Sequence, residues 1–337
     1  MKRVLALVAA VAMVAGAYVV RSGGTDDEGG RDDGEVAVDG DPAETLRLAC
    51  ATELAEACAV MAEADDRLVI VEEAPGEVAD DLVEGTGIEA DVWLAPLPWV
   101  ELVRQLAEGS VLGEPSDVIA RSPLVLAAFP QSLPDCGGEP VGWRCIGDAA
   151  PGLRRGFQDL DDTEGLFTIA QAGSGYFGGA DYITNDFEVP PDDGGPPLID
   201  WLSTLLRDVP GSSFGTPLAT MLRTGAATYD FAATIEAVAT SAIRGTRQED
   251  TLAVIYPSPM ATVHMVAVPV PGGDDGAAAE LLELVTGPSG RTALAEAGWR
   301  VEGEPLADGL DESVALDPED DGLPDAGVLA ALRERLG

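Results

Sequence analysis

From Thr45 to Val285 the chain repeats one motif: a short apolar run, then an amphipathic stretch, with Gly, Pro or Asp between them. The runs have strand length, and the stretches that follow carry apolar residues at helical spacing. That alternation specifies an α/β fold. Thr45–Cys50, Arg67–Glu72 and Ala90–Ala95 are expected strands. Thr52 opens a helix through Leu54, Cys58 and Met61, Gly76 opens one through Val78, Leu82 and Val83, and Trp99–Leu106 forms a third. Ser122–Phe129 is almost wholly apolar, as a central strand would be. After a loop-rich insert at 130–151, a strand is expected at Leu166–Gln171, with a helix starting near Ser174. Beyond the Pro190–Pro197 linker come helices at Trp201–Leu206 and Pro217–Arg223, a strand at Thr228–Ala233 and a helix at Ile235–Ile243. Strands at Thr251–Tyr256 and Thr262–Val268, helices at Ala277–Val285 and Ser289–Ala297, and a short helix at Val328–Leu336 complete the chain.

Charge excludes several partners. The 337 residues carry a net charge of −41, and Lys2 is the only lysine. Such a surface repels nucleic-acid phosphates and anionic membranes, and hydrated carboxylates at this density act as a solubility device.

The N-terminus is a targeting segment. Lys2 and Arg3 precede the unbroken apolar run Val4–Val20, and Ala15-Gly16-Ala17 has the small-x-small form of a signal-peptidase site. The run is also long enough to span a bilayer, with Arg21 behind it, and its continuation through Tyr18, Val19 and Val20 favours an uncleaved anchor. Either way residues 1–21 direct export, and the chain is anchored to the membrane or secreted. Residues 22–44, rich in Gly, Asp and Glu, read as a disordered acidic spacer. Four cysteines suit an exported chain. They allow three connectivities, of which local pairing, Cys50 with Cys58 and Cys136 with Cys145, is expected. With no C-x2-C spacing and His264 as the single histidine, zinc is rejected.

No enzyme constellation stands out. Ser174 lies in Gly-Ser-Gly, not in Gly-x-Ser-x-Gly; His264 sits in an apolar strand; no Gly-Lys-Ser/Thr phosphate loop or dinucleotide fingerprint occurs. No cofactor is implied.

Three segments carry a family likeness. Ala90-Asp-Val-Trp-Leu-Ala-Pro96, Ala120-Arg-Ser-Pro-Leu-Val-Leu-Ala127 and Ala278–Arg300, with Gly287-Pro-Ser-Gly-Arg-Thr292 inside it, follow in order. Together they resemble bacterial extracellular solute-binding proteins related to the molybdate-binding group. The likeness is strongest to the actinobacterial branch whose members often carry a von Willebrand type A domain. It covers roughly Thr45–Arg300. The Asp-x-Ser-x-Ser motif of the type A domain is missing, so a binding module alone, or one with its effector on another chain, is expected.

The resemblance implies a two-lobed, type 2 periplasmic-binding fold with an inter-lobe cleft and two crossing strands. Residues 45–125 and 252–300 would form lobe one, 126–251 lobe two, and 301–337 a tail with a short helix. It implies capture of a small molecule or ion for an ABC-type permease; the alternative is a non-transport envelope sensor or interaction scaffold. Ligands in such folds sit at helix N-termini, where backbone N–H groups are unpaired. Candidate contacts are Thr52, Gly76, Glu77, Arg121, Ser122, Thr216, Thr234 and Glu236, with Ser174, Gly175 and Tyr176 as a strand-to-helix turn. Glu77 stands where molybdate-type relatives place a hydroxyl residue, and a carboxylate there opposes an oxyanion. Asp317, Glu319, Asp321 and Asp325 approximate a calcium loop without its final bidentate acid.

Overall fold

In the computed structural model, residues 45–107, 112–137, 141–178, 187–188, 194–207, 214–317 and 321–337 are described. The targeting segment, the acidic spacer and Glu319 lie outside them. Strand β1 (Leu46–Ala51) runs parallel to β2 (Leu68–Glu73) on one side and β3 (Val92–Pro96) on the other. The first sheet continues through β8 (Thr262–Pro269), antiparallel to β3. All five residues of β3 are buried, which is why the segment is solidly apolar. Helices α1 (Ala55–Ala64), α2 (Pro75–Glu84) and α3 (Leu97–Leu106) follow these strands in turn.

One strand makes the molecule two-lobed. In β4 (Ala120–Ala128), residues 120–123 pair with β8 of the first sheet, and residues 124–128 pair with β6 (Phe231–Ile235) of the second. The short β5 (Arg155–Gly156) lies beyond β6, and β7 (Ala253–Ile255) pairs with the far end of β4. The chain thus crosses between lobes within β4 and returns between β7 and β8. Lobe two carries α4 (Trp143–Asp148), α5 (Thr163–Tyr176), α6 (Leu198–Leu206), α7 (Pro217–Thr224) and α8 (Glu236–Ile243). Helices α9 (Asp275–Thr286) and α10 (Pro288–Glu296) return to pack on lobe one, and α11 (Ala326–Leu336) ends the chain.

The main core holds Trp93, Trp99, Trp143 and Trp299, all fully buried or nearly so. A smaller cluster in lobe two gathers Phe129, Met221 and Tyr229. The cysteines pair locally, Cys50 with Cys58 and Cys136 with Cys145.

One expectation is overturned. The segment read as a strand at Leu166–Gln171 and a turn at Ser174 is a single helix, α5, and all of its residues from Thr163 to Tyr176 are buried. Burial on every side removes the polar face that would show helical periodicity. Its glycines serve packing: a Cβ on Gly175 would stand 2.7 Å from the Trp143 Cβ. Among the described residues no helix is long and apolar enough to cross a membrane.

Candidate ligand-binding cleft

The lobes face each other through helix starts. On lobe one, Thr52–Leu54 form a single 3-10 turn that leads into α1, and Pro75 starts α2. On lobe two, α5 starts at Thr163, α7 at Pro217 and α8 at Glu236. Proline at the first helical position of α2 and α7 fits because its missing N–H is not needed there.

The acidic loop before α5 reaches across. Its Asp161 carbonyl accepts a 2.8 Å hydrogen bond from the Gly76 amide. A Cβ on Gly76 would lie 2.6 Å from the Asp161 Cα and 2.9 Å from the Trp99 ring, so glycine is what lets the loop approach. The Thr163 hydroxyl donates to Glu53, and the Ser241 hydroxyl of α8 donates to Glu56 of α1 at 2.6 Å.

These contacts border a cavity of about 280 Å³ whose lining includes Thr52, Glu53, Glu56, Gln158, Glu164 and Thr216. Glu53 comes from lobe one and Glu164 from lobe two, and both are buried. Burial pushes both carboxyls above the usual range, and the Glu53 charge raises Glu164 further. Hydroxyls hold them: Thr163 on Glu53, and Thr234 on Glu164 at 3.4 Å. Asp162 beside them is pushed up to about 6, first by burial and then by Asp159, Asp161 and Glu77. A larger cavity of about 810 Å³ lies between Val83, Leu102, Leu160 and Leu336. Flanks of α2, α3 and α11 and the loop Phe157–Asp161 line it, with Arg333 and Asp80 at its wall.

Several expected residues sit at this cleft. Thr52 lines the cavity and donates to Glu53 at 3.3 Å. Gly76 makes the lobe-to-lobe bond, while Glu77 is exposed in the first turn of α2. Thr216 lines the cavity and also caps α7, accepting from the Ala219 amide at 3.1 Å. Thr234 reaches it through Glu164.

Others have structural work. Ser122 is buried and accepts from the Ala237 amide at 3.0 Å, capping the start of α8 from the crossing strand. Arg121 lies in β4, its backbone paired both ways with Arg300 at 2.9 Å. Glu236 is engaged within the protein: fully buried, it accepts two bonds from the Arg300 guanidinium, at 2.7 and 2.8 Å, and one from the Tyr256 hydroxyl. A carboxylate buried so deeply needs a cation, and Arg300 supplies it. Ser174, Gly175 and Tyr176 form the last turn of α5, away from its cleft-facing start; Tyr176 donates to the Pro196 carbonyl beneath the Arg144 guanidinium. In the tail, Asp325 caps α11 and the Asp321 carboxylate accepts from the Leu323 amide. Among the described residues no three His, Cys, Asp or Glu side chains stand placed to hold a metal ion.

Sequence reasoning missed Glu53, Asp162, Thr163 and Glu164. The run Asp159-Leu-Asp-Asp-Thr-Glu164 carried a helix-start signal, an acid and a threonine followed by an apolar stretch, which the strand reading of 166–171 concealed.

Two α/β lobes joined by crossing strands, with helix starts turned into the cleft, define a two-lobed solute-binding protein of the type 2 periplasmic kind. Residues 46–300 match the model of the bacterial extracellular solute-binding proteins, and the chain belongs to that family. Solved structures share the fold at low identity. The iron-bound HitA of Pseudomonas aeruginosa is 15% identical with a TM-score of 0.62, covering 87% of this chain and 99% of its own. FutA2 of Synechocystis in its apo form is 12% identical with a TM-score of 0.58, covering 87% and 98%. The sulfate-binding SubI of Mycobacterium tuberculosis is 12% identical with a TM-score of 0.52, covering 77% and 88%. No curated protein sequence matches the chain.

Proposed function

We propose that this protein works outside the cytoplasm, captures a small positively charged solute between its lobes and delivers it to an ABC-type permease. The carrying observation is that Glu53 and Glu164, from opposite lobes, border one cavity of about 280 Å³. An oxyanion would meet two buried carboxyls there, with Asp162 and Glu77 close by. A cation meets the opposite field, and its arrival replaces the protons that burial otherwise keeps on the pair. The Thr52 and Thr216 hydroxyls and the Gln158 amide add neutral groups suited to an organic ammonium or guanidinium. The structural relatives bind iron in one case and sulfate in another, so the shared fold leaves the sign of the ligand charge to the local side chains.

A thermal-shift panel of amines, guanidines, metal cations, oxyanions, amino acids and sugars tests this reading. Cations are expected to raise the melting temperature, and Glu53→Gln is expected to weaken the response. Stabilisation by an oxyanion, with no response to any cation, would remove it.

A further inference from the structure

Beyond the family-matched residues the chain does not simply trail away. Its described residues after Arg300 touch each lobe and the return crossing between them. The Arg300 guanidinium, already on Glu236 of lobe two, also donates to the Asp311 and Val314 carbonyls of this segment at 2.8 and 3.2 Å. Arg244, just beyond α8, donates to the Asp308 carbonyl. Further on, the Asp321 carbonyl accepts from the Thr262 amide at 2.8 Å, where the chain re-enters lobe one. Gly322 has a φ of +72°, and a Cβ there would stand 2.4 Å from the Met260 carbonyl oxygen.

Helix α11 then packs on α3 of lobe one and on α5 and α6 of lobe two. Val328, Leu329 and Leu332 are buried in that joint. Arg333 joins the lobes by charge. Its guanidinium holds both Asp80 carboxylate oxygens of lobe one, at 2.7 and 2.6 Å, and Asp161 of lobe two, at 2.6 Å. It also lies 5.2 Å over the Trp99 ring. Arg335 reaches Glu188 of lobe two at 2.7 Å. Asp161 is the residue whose carbonyl bonds Gly76 across the cleft, so the Arg333 contact and the cleft contact share one loop.

We infer that the segment after Arg300 is a belt, with α11 as its clasp and Arg333 as its pin, which holds the lobes closed until α11 leaves one of them. Hinge bending at two crossing strands alone would let the lobes part freely. Here opening must also break the Arg333 contacts on one side and expose the Leu329 and Leu332 face. Closure is therefore coupled to docking of α11, and whatever binds or displaces that helix controls access to the cleft. The inference stands whether or not the solute is a cation.

The Gly76 amide is a built-in reporter, because it exchanges with solvent only when the cleft contact opens. In the full chain without added ligand, Arg333→Ala is expected to speed Gly76 exchange about tenfold or more and to increase the radius of gyration in X-ray scattering. Protection of the β1 amides should persist, showing an intact fold. Asp161→Asn, which spares the carbonyl acceptor, should shift both readouts the same way, and it serves if Arg333→Ala fails to fold. Faster exchange of the α11 amides with Gly76 exchange and radius of gyration unchanged would overturn the belt. So would faster Gly76 exchange at constant radius, which is local fraying.

Discussion

Glu53 and Glu164 make this protein's stability depend on pH in a defined direction. A carboxyl whose native value is raised above its unfolded value holds its proton more tightly in the folded state. Its contribution is therefore most favourable below the ordinary glutamate value of 4.5 and is lost as pH rises towards the native value. Asp162, raised to about 6, acts in the same sense between 3.8 and that value. Melting temperature is expected to fall as pH rises from 5 to 8, and Glu164→Gln should flatten the slope. At pH 8 that variant should melt about 2–4 °C higher, on the order of 1 kcal/mol, and a lower melting temperature would contradict the buried-pair account. If a cation displaces the protons, its affinity should rise over the same range, and calorimetry in buffers of different ionisation enthalpy should detect proton release. At the hinge, Glu236 has the opposite environment. Arg300→Ala strands it without its cation and is expected to cost about 3–5 kcal/mol in chemical unfolding. Adding Glu236→Gln should recover part of that loss, whereas a simple sum of the two costs would show that the pair does not interact.

At the scale of elements, helix starts do most of the positioning, and two of them can be tested alone. Thr216 caps α7 through the Ala219 amide, so Thr216→Ala should cost about 0.5–2 kcal/mol. Gly165 is the third residue of α5, in its first turn, where a Cβ would stand 1.9 Å from the Asp159 carbonyl oxygen. Gly165→Ala must push the acidic loop outward and shift Asp161 and Asp162 with it. Denaturant titration should show a loss of about 1–3 kcal/mol, and Gly76 exchange should accelerate as its acceptor moves. Unchanged exchange would mean that the loop yields without moving Asp161. Element type was legible wherever one face met solvent: α2 alternates buried Val78 and Leu82 with exposed acids, and it starts at Pro75, one residue before the expected Gly76. It failed at α5, because burial all round leaves composition but no pattern.

Over the whole molecule the unmatched charge of −41 acts as a distributed strain. Self-repulsion among surface carboxylates opposes compaction and is screened once the Debye length falls below their spacing. The melting temperature is expected to rise between 50 mM and 1 M sodium chloride; a flat or falling profile would show that local pairs outweigh the net charge. The belt belongs to this scale too, since α11 and Arg333 matter only because both lobes meet on them. The short helix at the end of the sequence was readable, but its apolar face said only that it must be covered, not that two lobes would cover it.

The sequence by itself determined the α/β order outside α5, the apolar crossing strand and the family segments, and it favoured the local cysteine pairing, because each rests on residues close together in the chain. It also marked Thr52, Gly76 and Thr216, since helix starts have local signatures, and the family resemblance marked Thr234. Only the tertiary structure decided which groups meet: Glu53 with Thr163, 110 positions apart, Glu236 with Arg300, and Arg333 with Asp80 and Asp161. Carboxylates are so abundant here that no local pattern separates the few that are buried from the many that keep the chain in water. Burial and opposite-lobe placement make that distinction, and both exist only once the chain has crossed and returned.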